Sequence, residues 1–462
     1  MKPSASLTRS DGNLPLAERL DSILLALLCF AMCSQVDVRH FGRDTLAEGL
    51  GFASKTFALS LSDVLFVGLL AWFLARTSQL KAWNRLWWPP LPCFALIFAL
   101  VLSLVHSKTI GASIVAEHSW RTQEVKVALA DIAQWVGYFG VAPWMLVNLL
   151  RDRRSPDGSV IRRENVAVGA LVAAFVVSGV LALIQTQTFG GLAPRGLWSS
   201  PNLFAGFVAF TVPFLDEIEI PHPRFALVPL GLSLFCAGIV WLCVASPWAA
   251  MAAWIGLFFS WLARPNLKKL RIARLALLVF VAAFFSLTWN RNPQLRALRA
   301  DEFRLASVSQ KVKKRWIEWQ VATRWNDPKE RAFATGYGPG NYQSNIGELY
   351  QYDGIPSKEK IPPDSNNLYL VQAMSVGVLG LGALLWVLYH FWSIAWRAAQ
   401  RGSWLGAAVF GSLGAWIFVN PFHALVVRGA GLVLALFFAL AVAAEDNAKG
   451  EAASNDAEPN RV

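Results

Sequence analysis

From residue 21 to residue 444 the chain passes through one apolar stretch after another, each of about 20 residues and nearly free of charge. A bilayer core is about 30 Å thick and offers no water to unpaired backbone N–H and C=O groups, so such stretches cross it as helices. A chain built this way is expected to be all-α, a polytopic helical membrane protein. Composition agrees, with 55% of residues hydrophobic and 16% charged, which leaves no segment suited to a soluble catalytic domain. The first run follows Lys2, Arg9 and Arg19 as the core of a signal peptide does. Spans continue along the whole chain, however, so it reads as a retained first helix.

Spans are expected near 19–36, 57–75, 87–106, 126–149, 165–185, 202–215, 225–245, 247–263, 274–290, 367–396, 402–421 and 425–444, about twelve in all, with both termini on one side. Arg151, Arg153, Arg154, Arg162 and Arg163 crowd one connection, and Arg264, Lys268, Lys269, Arg271 and Arg274 crowd another on the same side. The positive-inside rule makes that side cytoplasmic, and Arg76, Lys81 and Arg85 after the second span agree. The chain then divides into nine helices over 1–290, a long extracytoplasmic loop over 291–366, three more helices over 367–444, and an acidic polar tail over 445–462 expected to be disordered in the cytoplasm.

Within the loop, Leu305, Val308, Val312, Trp316 and Trp319 recur at helical spacing with Arg304, Lys311, Lys314 and Arg315 between them. That pattern is an amphipathic helix, set either on the membrane interface or on the outer surface of the spans. The net charge of +12 lies beside the spans, where orientation and anionic membrane lipid account for it. With no basic soluble module, nucleic acid is not an expected partner. All five cysteines fall inside apolar runs, so the loop has no disulfide framework.

Four polar constellations converge on the outer side by topology alone. "APRGLWSSPNLFAGF" carries Arg195 and Asn202 between the fifth and sixth spans; "ATGYGPGNYQSN" carries Gly336, Gly338, Gly340 and Tyr342. "DSNNLYL" puts Asp364, Asn366 and Asn367 where the tenth span begins, either to cap a helix or to face a site. "NPFHALVVRG" puts Asn420, His423 and Arg428 around the last turn. Asp63 and Asp131, inside spans near the same side, are costly at that depth and need a partner or a function. No Asp-x-Asp pair, His-x-x-x-His pair or cysteine cluster points to a metal, and no Gly-x-Ser-x-Gly elbow points to a serine nucleophile. Arginine, amides, aromatic rings and scattered carboxylates suit the binding of phosphates and sugars.

The succession "RGLWSSPNLFAGF", "WNDPKERAFATGYGPGNY" and "NNLYLVQAMSVGVLGL", over roughly residues 190 to 385, resembles the motifs of the O-antigen ligase and polymerase superfamily. The resemblance implies a transferase at the outer face of the bacterial inner membrane. Such an enzyme moves a glycan from a polyprenyl pyrophosphate carrier to a hydroxyl on a lipid, a protein or another glycan, without metal, nucleotide or other cofactor. It implies that Arg195 stabilises the departing pyrophosphate, and that Asn202, Gly336, Gly338, Gly340, Tyr342, Asn367 and Arg428 help to bind substrate. The family's third motif has a histidine before its asparagine, and here Asn366 stands in that place. An amide orients a hydroxyl but does not take its proton. Asp364, Glu348, His423 or the leaving pyrophosphate remains for that role. Pro247 likewise stands where many relatives have an arginine. A transporter of polysaccharide or lipid-linked glycan, and an inactive relative serving as a scaffold in glycan export, are the alternatives.

Overall fold

The computed structural model describes residues 16–34, 37–41, 57–79, 83–114, 121–151, 163–188, 195–198, 201–217, 247–264, 316, 319–320, 323, 332–340, 367–422, 425 and 428–456. Helices dominate: α1 Leu16–Met32, α2 Leu61–Gln79, α3 Leu91–Ile114, α4 Arg121–Val136, α5 Ala142–Leu150, α6 Arg163–Thr188, α7 Pro201–Glu217, α8 Pro247–Ala263, the short α9 Ala332–Thr335, α10 Leu368–Gln400, α11 Trp404–Val419 and α12 Arg428–Asp456. A π-helical turn, Gly137–Val141, joins α4 to α5 into one continuous rod. Among the described residues four helices are long and apolar enough to cross a membrane, with shorter apolar helices beside them. The chain is thus an all-helical membrane protein in its main architecture. The expected spans 225–245 and 274–290 lie outside the described residues.

One small element departs from an all-α fold. Strands β1 Asp37–Phe41 and β2 Phe57–Ser60 pair antiparallel just before α2. β2 runs straight into a helix cap: Asp63 accepts from the Ser60 N–H at 2.9 Å, while the Ser60 hydroxyl takes the Asp63 N–H at 3.3 Å. This reciprocal box satisfies two donors that the first turn leaves unpaired. Asp63 is therefore explained as a cap rather than as a buried functional charge.

α12 sits at the centre. Its apolar stretch is 89% buried, and a helix apolar on every side needs such a place. Phe437 meets Phe210 and Phe214 of α7, and Phe438 stacks on Phe391 of α10 at 4.2 Å and meets Phe139 of the π turn. Beside it α7, α8 and α11 meet at small residues: a Cβ on Gly256 would lie 3.0 Å from the Gly411 carbonyl oxygen and 3.1 Å from the Pro213 ring. Between apolar helices in lipid, such close backbone contact is a main source of attraction. The outer surface is apolar too, as in the stripe Phe94, Phe98, Val101 and Val105 along α3, which is exposed.

Ion pairs among the described residues gather at one end of the bundle. There Asp21 pairs with Arg76 and with Arg163, the latter at 3.0 Å, and takes the Trp72 indole N–H at 2.9 Å. Glu217 pairs with Arg264 at 3.0 Å and accepts from the Ser260 hydroxyl. Arg151 reaches Asp446 and Arg397 reaches Glu445, each at 3.0 Å. α12 continues as a helix through Asp456, into the segment expected as a tail, whose residues 457–462 lie outside the described residues. Glu445 and Asp446 find basic partners on α10 and at the end of α5.

Candidate functional site

The opposite end of the bundle holds Gly336, Gly338 and Gly340 together with Asn202, Asn367 and Asn420. Its centre is a break in α10. Gly377 has φ 73° and ψ −173°, which is non-helical, so the regular partners of the preceding carbonyls are lost. The glycine loop supplies replacements. Tyr337 donates its N–H to the Met374 carbonyl and Gly338 to the Ser375 carbonyl, both at 2.9 Å. Ser375 also accepts from the Ser103 hydroxyl of α3 at 2.9 Å. In a lipid-enclosed structure these bonds stand in for water that is not there.

The fit leaves no room for a side chain. A Cβ on Gly336 would overlap the Ser375 backbone, and one on Gly377 would overlap Ala334. Gly336, Gly338 and Gly340 have φ of 71°, 105° and 76°, a region that L-residues reach only with strain. The close approach expected of this loop is thus made, at Gly336, to another part of the same chain. Residues 378–400 beyond the break extend about 34 Å as a helix, enough to cross a bilayer core without the part before it. α10 is a discontinuous helix, and the glycine loop is docked on its discontinuity.

A histidine joins the junction from α3. His106 Nδ1 is hydrogen-bonded to the Thr335 hydroxyl at the end of α9, one turn beyond Ser103. His106 is half-buried and Thr335 is buried. Sequence reasoning did not select His106. Its position at the end of an expected span was a usable signal, but nothing local ties it to Thr335, 229 positions away.

Arg195 stands on a built turn. Gln185 of α6 accepts the N–H groups of Arg195 at 2.8 Å and Gly196 at 3.0 Å, and Ser178 accepts that of Leu197 at 3.1 Å. Trp198 closes the turn onto the Arg195 carbonyl at 2.9 Å and buries its ring against Phe207. The backbone is held from below while Arg195 itself is exposed. Asn202 is exposed in the first turn of α7.

Asn367 proves to be the cap of α10, its side-chain oxygen accepting from the N–H of Tyr369 at 3.1 Å and of Leu370 at 3.2 Å. Leu368 in turn donates to the Asn420 carbonyl at 2.9 Å, and Tyr369 to the Ile417 carbonyl at 2.9 Å. Asn420 is fully buried, bonded to Trp416 and Leu425, which makes it a structural amide. Leu425 packs where a side chain on Gly206 of α7 would have to go. A chain of contacts therefore runs from the Arg195 turn through α7 and the Asn420 turn to the start of α10, and along it to Thr335 and His106.

Trp319 of the expected amphipathic helix lies 6.0 Å from the Phe422 ring, and Trp316 is exposed. Asn366, Asp364, Glu348, His423 and Tyr342 lie outside the described residues. Arg428 is the first residue of α12. Among the described residues no group of three or more His, Cys, Asp and Glu side chains is placed to share a metal ion. No family model matches the chain, and no curated protein matches it.

Proposed function

We propose that this protein is a glycosyltransferase of the bacterial inner membrane that moves a glycan from a polyprenyl pyrophosphate carrier to an acceptor hydroxyl on a lipid, a protein or a growing chain. The proposal has about twelve spans, the arginine-rich end of the bundle in the cytoplasm and the glycine-loop end outside. The observation that carries it is the docking of the Gly336–Gly338 backbone on the break at Gly377. Two motifs that resemble those of the superfamily, one from a loop and one from a span, form one unit here. The Arg195 turn lies at the same end.

The chemistry follows from these groups. The acceptor oxygen attacks the anomeric carbon, the bond to the pyrophosphate oxygen breaks, and negative charge grows on the leaving group. An exposed guanidinium on a rigid turn is suited to meet that charge with paired hydrogen bonds. Reconstituted protein given a polyprenyl-pyrophosphate-linked oligosaccharide is expected to release free polyprenyl pyrophosphate and form a longer or transferred glycan. Arg195→Ala is expected to lower the rate about 100- to 1,000-fold, in line with other lost oxyanion donors. Wild-type protein that binds the donor but never releases the carrier would overturn the transferase.

The break at Gly377 also favours a second reading. Discontinuous helices commonly form the binding sites of transporters, so movement of an intact lipid-linked glycan across vesicles, without carrier release, is the result that would select it.

A further inference from the structure

We propose that the ends of α10 and α12 together form a binding site for an anionic phospholipid. Arg397, Arg401 and Lys449 hold its phosphodiester, and its acyl chains lie along Trp386 and Tyr389. The inference goes beyond the transferase reading and stands without it.

Helical spacing lays the site out. Trp386, Tyr389, Ser393, Arg397 and Arg401 follow one another at three or four residues, so they share one side of α10. Trp386, Tyr389, Arg397 and Arg401 are all exposed. An uncovered aromatic strip therefore leads to a pair of guanidinium groups. From Val378, just beyond the break, to Arg397 the helix rises about 28 Å, so it has crossed a bilayer core where its first arginine stands. α12 repeats the measure, because its apolar stretch begins at Ala430 and Lys449 lies as far along it as Arg397 lies from Val378.

Charge decides what the site takes. Glu445 Oε1 is 3.0 Å from Arg397 Nε, 3.4 Å from Arg401 Nη1 and 3.5 Å from Lys449 Nζ. Arg397 Nη1 also donates to the Ser393 hydroxyl at 3.4 Å. Three cations thus share one oxygen of a single carboxylate, and positive charge is in excess at the level of the headgroups. Guanidinium groups hold phosphate oxygens with paired hydrogen bonds, and basic residues beside a span draw anionic lipid. A soluble anion would meet the same cations but gain nothing from Trp386 and Tyr389, whose strip runs where acyl chains lie. The occupant these groups fit is a lipid.

The test uses the full chain in detergent micelles doped with equal amounts of phosphatidylglycerol and phosphatidylcholine, with bound lipid counted by native mass spectrometry. The wild type is expected to retain phosphatidylglycerol in preference. Arg397→Gln combined with Arg401→Gln is expected to weaken that binding about 5-fold for each cation removed and to leave retention of phosphatidylcholine unchanged. Glu445→Gln separates lipid binding from helix stability. It removes the carboxylate that holds the cluster together, yet it is expected to bind phosphatidylglycerol more tightly, because the competing anion is gone. Weaker or unchanged binding in folded Glu445→Gln would show that the arginines serve only to hold α12, and would overturn the site. Equal retention of both lipids by the wild type would do the same. So would displacement of phosphatidylglycerol by glycerol 3-phosphate at the same concentration, since that molecule has a phosphate but no chains.

Discussion

A side chain on Gly336 would run into the Ser375 and Val376 backbone beside Gly377, and one on Gly377 into the Ala334 and Thr335 backbone beside Gly336. A left-handed backbone alone costs a non-glycine residue about 1 to 2 kcal/mol, and here the overlap is with backbone, which has nowhere to move. Gly336→Ala and Gly377→Ala are each expected to lower the unfolding midpoint by more than that conformational cost, whereas Gly382→Ala, with open space around its Cβ, is expected to be neutral or slightly stabilising. Equal midpoints for all three would contradict the docked junction. Asn367→Ala should cost about 1 kcal/mol as a lost cap, and Asn367→Ser much less. If both variants melt alike but only the alanine variant stops transferring glycan, the amide contacts substrate as well. The sequence made the polar cluster at the start of α10 visible, and even offered the cap as one of its two meanings. It gave no means to see that the glycine loop's closest partner is Ser375, because that contact depends on a backbone break no residue pattern announces.

At the scale of elements, α10 and α12 depart from their expected forms for opposite reasons. α10 reads as one apolar span, and its apolar pattern does continue across Gly377, so a break made of backbone torsion leaves the pattern intact. The end of α12 reads as an acidic tail when taken alone, yet Glu445 lies against Arg397 and Arg401, and Asp446 against Arg151, 295 positions earlier. These pairs are partly exposed and contribute at most about 1 kcal/mol each; together they hold a helix whose start is already ordered by the buried core. Trypsin is therefore expected to cut at Lys449 slowly in the folded protein and markedly faster in a variant carrying Arg151→Gln, Arg397→Gln and Arg401→Gln. Equal cleavage rates would show that the extension does not depend on its partners. The legible part at this scale was the location of apolar helices; the illegible part was every interaction joining distant ones.

Among the described residues the ion pairs gather at one end of the bundle, and the glycine loop and the Asn367 cap lie at the other, an arrangement that agrees with the proposed threading of a membrane. Successive spans alternate direction, so residues at one side of the chain's connections must gather at one end whatever their separation. Asp21 shows the consequence, because it is buried against arginines from two other helices. Asp21→Asn leaves two cations with no carboxylate between them and is expected to cost about 3 to 5 kcal/mol, read as a lower unfolding midpoint that pairing with Arg163→Gln partly restores. In the proposed topology Asn202 and Arg401, both exposed, lie on opposite faces, and the positive-inside rule assigns the face of Arg401 and Arg151 to the cytoplasm. In a variant without its native cysteines, Asn202→Cys is expected to react with a membrane-impermeant thiol reagent in intact spheroplasts, and Arg401→Cys only after lysis. Labelling of both in intact cells would break the alternation itself. Labelling of Arg401→Cys alone would keep the alternation and reverse the orientation, which would place the glycine loop, His106 and Arg195 in the cytoplasm, away from any donor displayed on the outer leaflet.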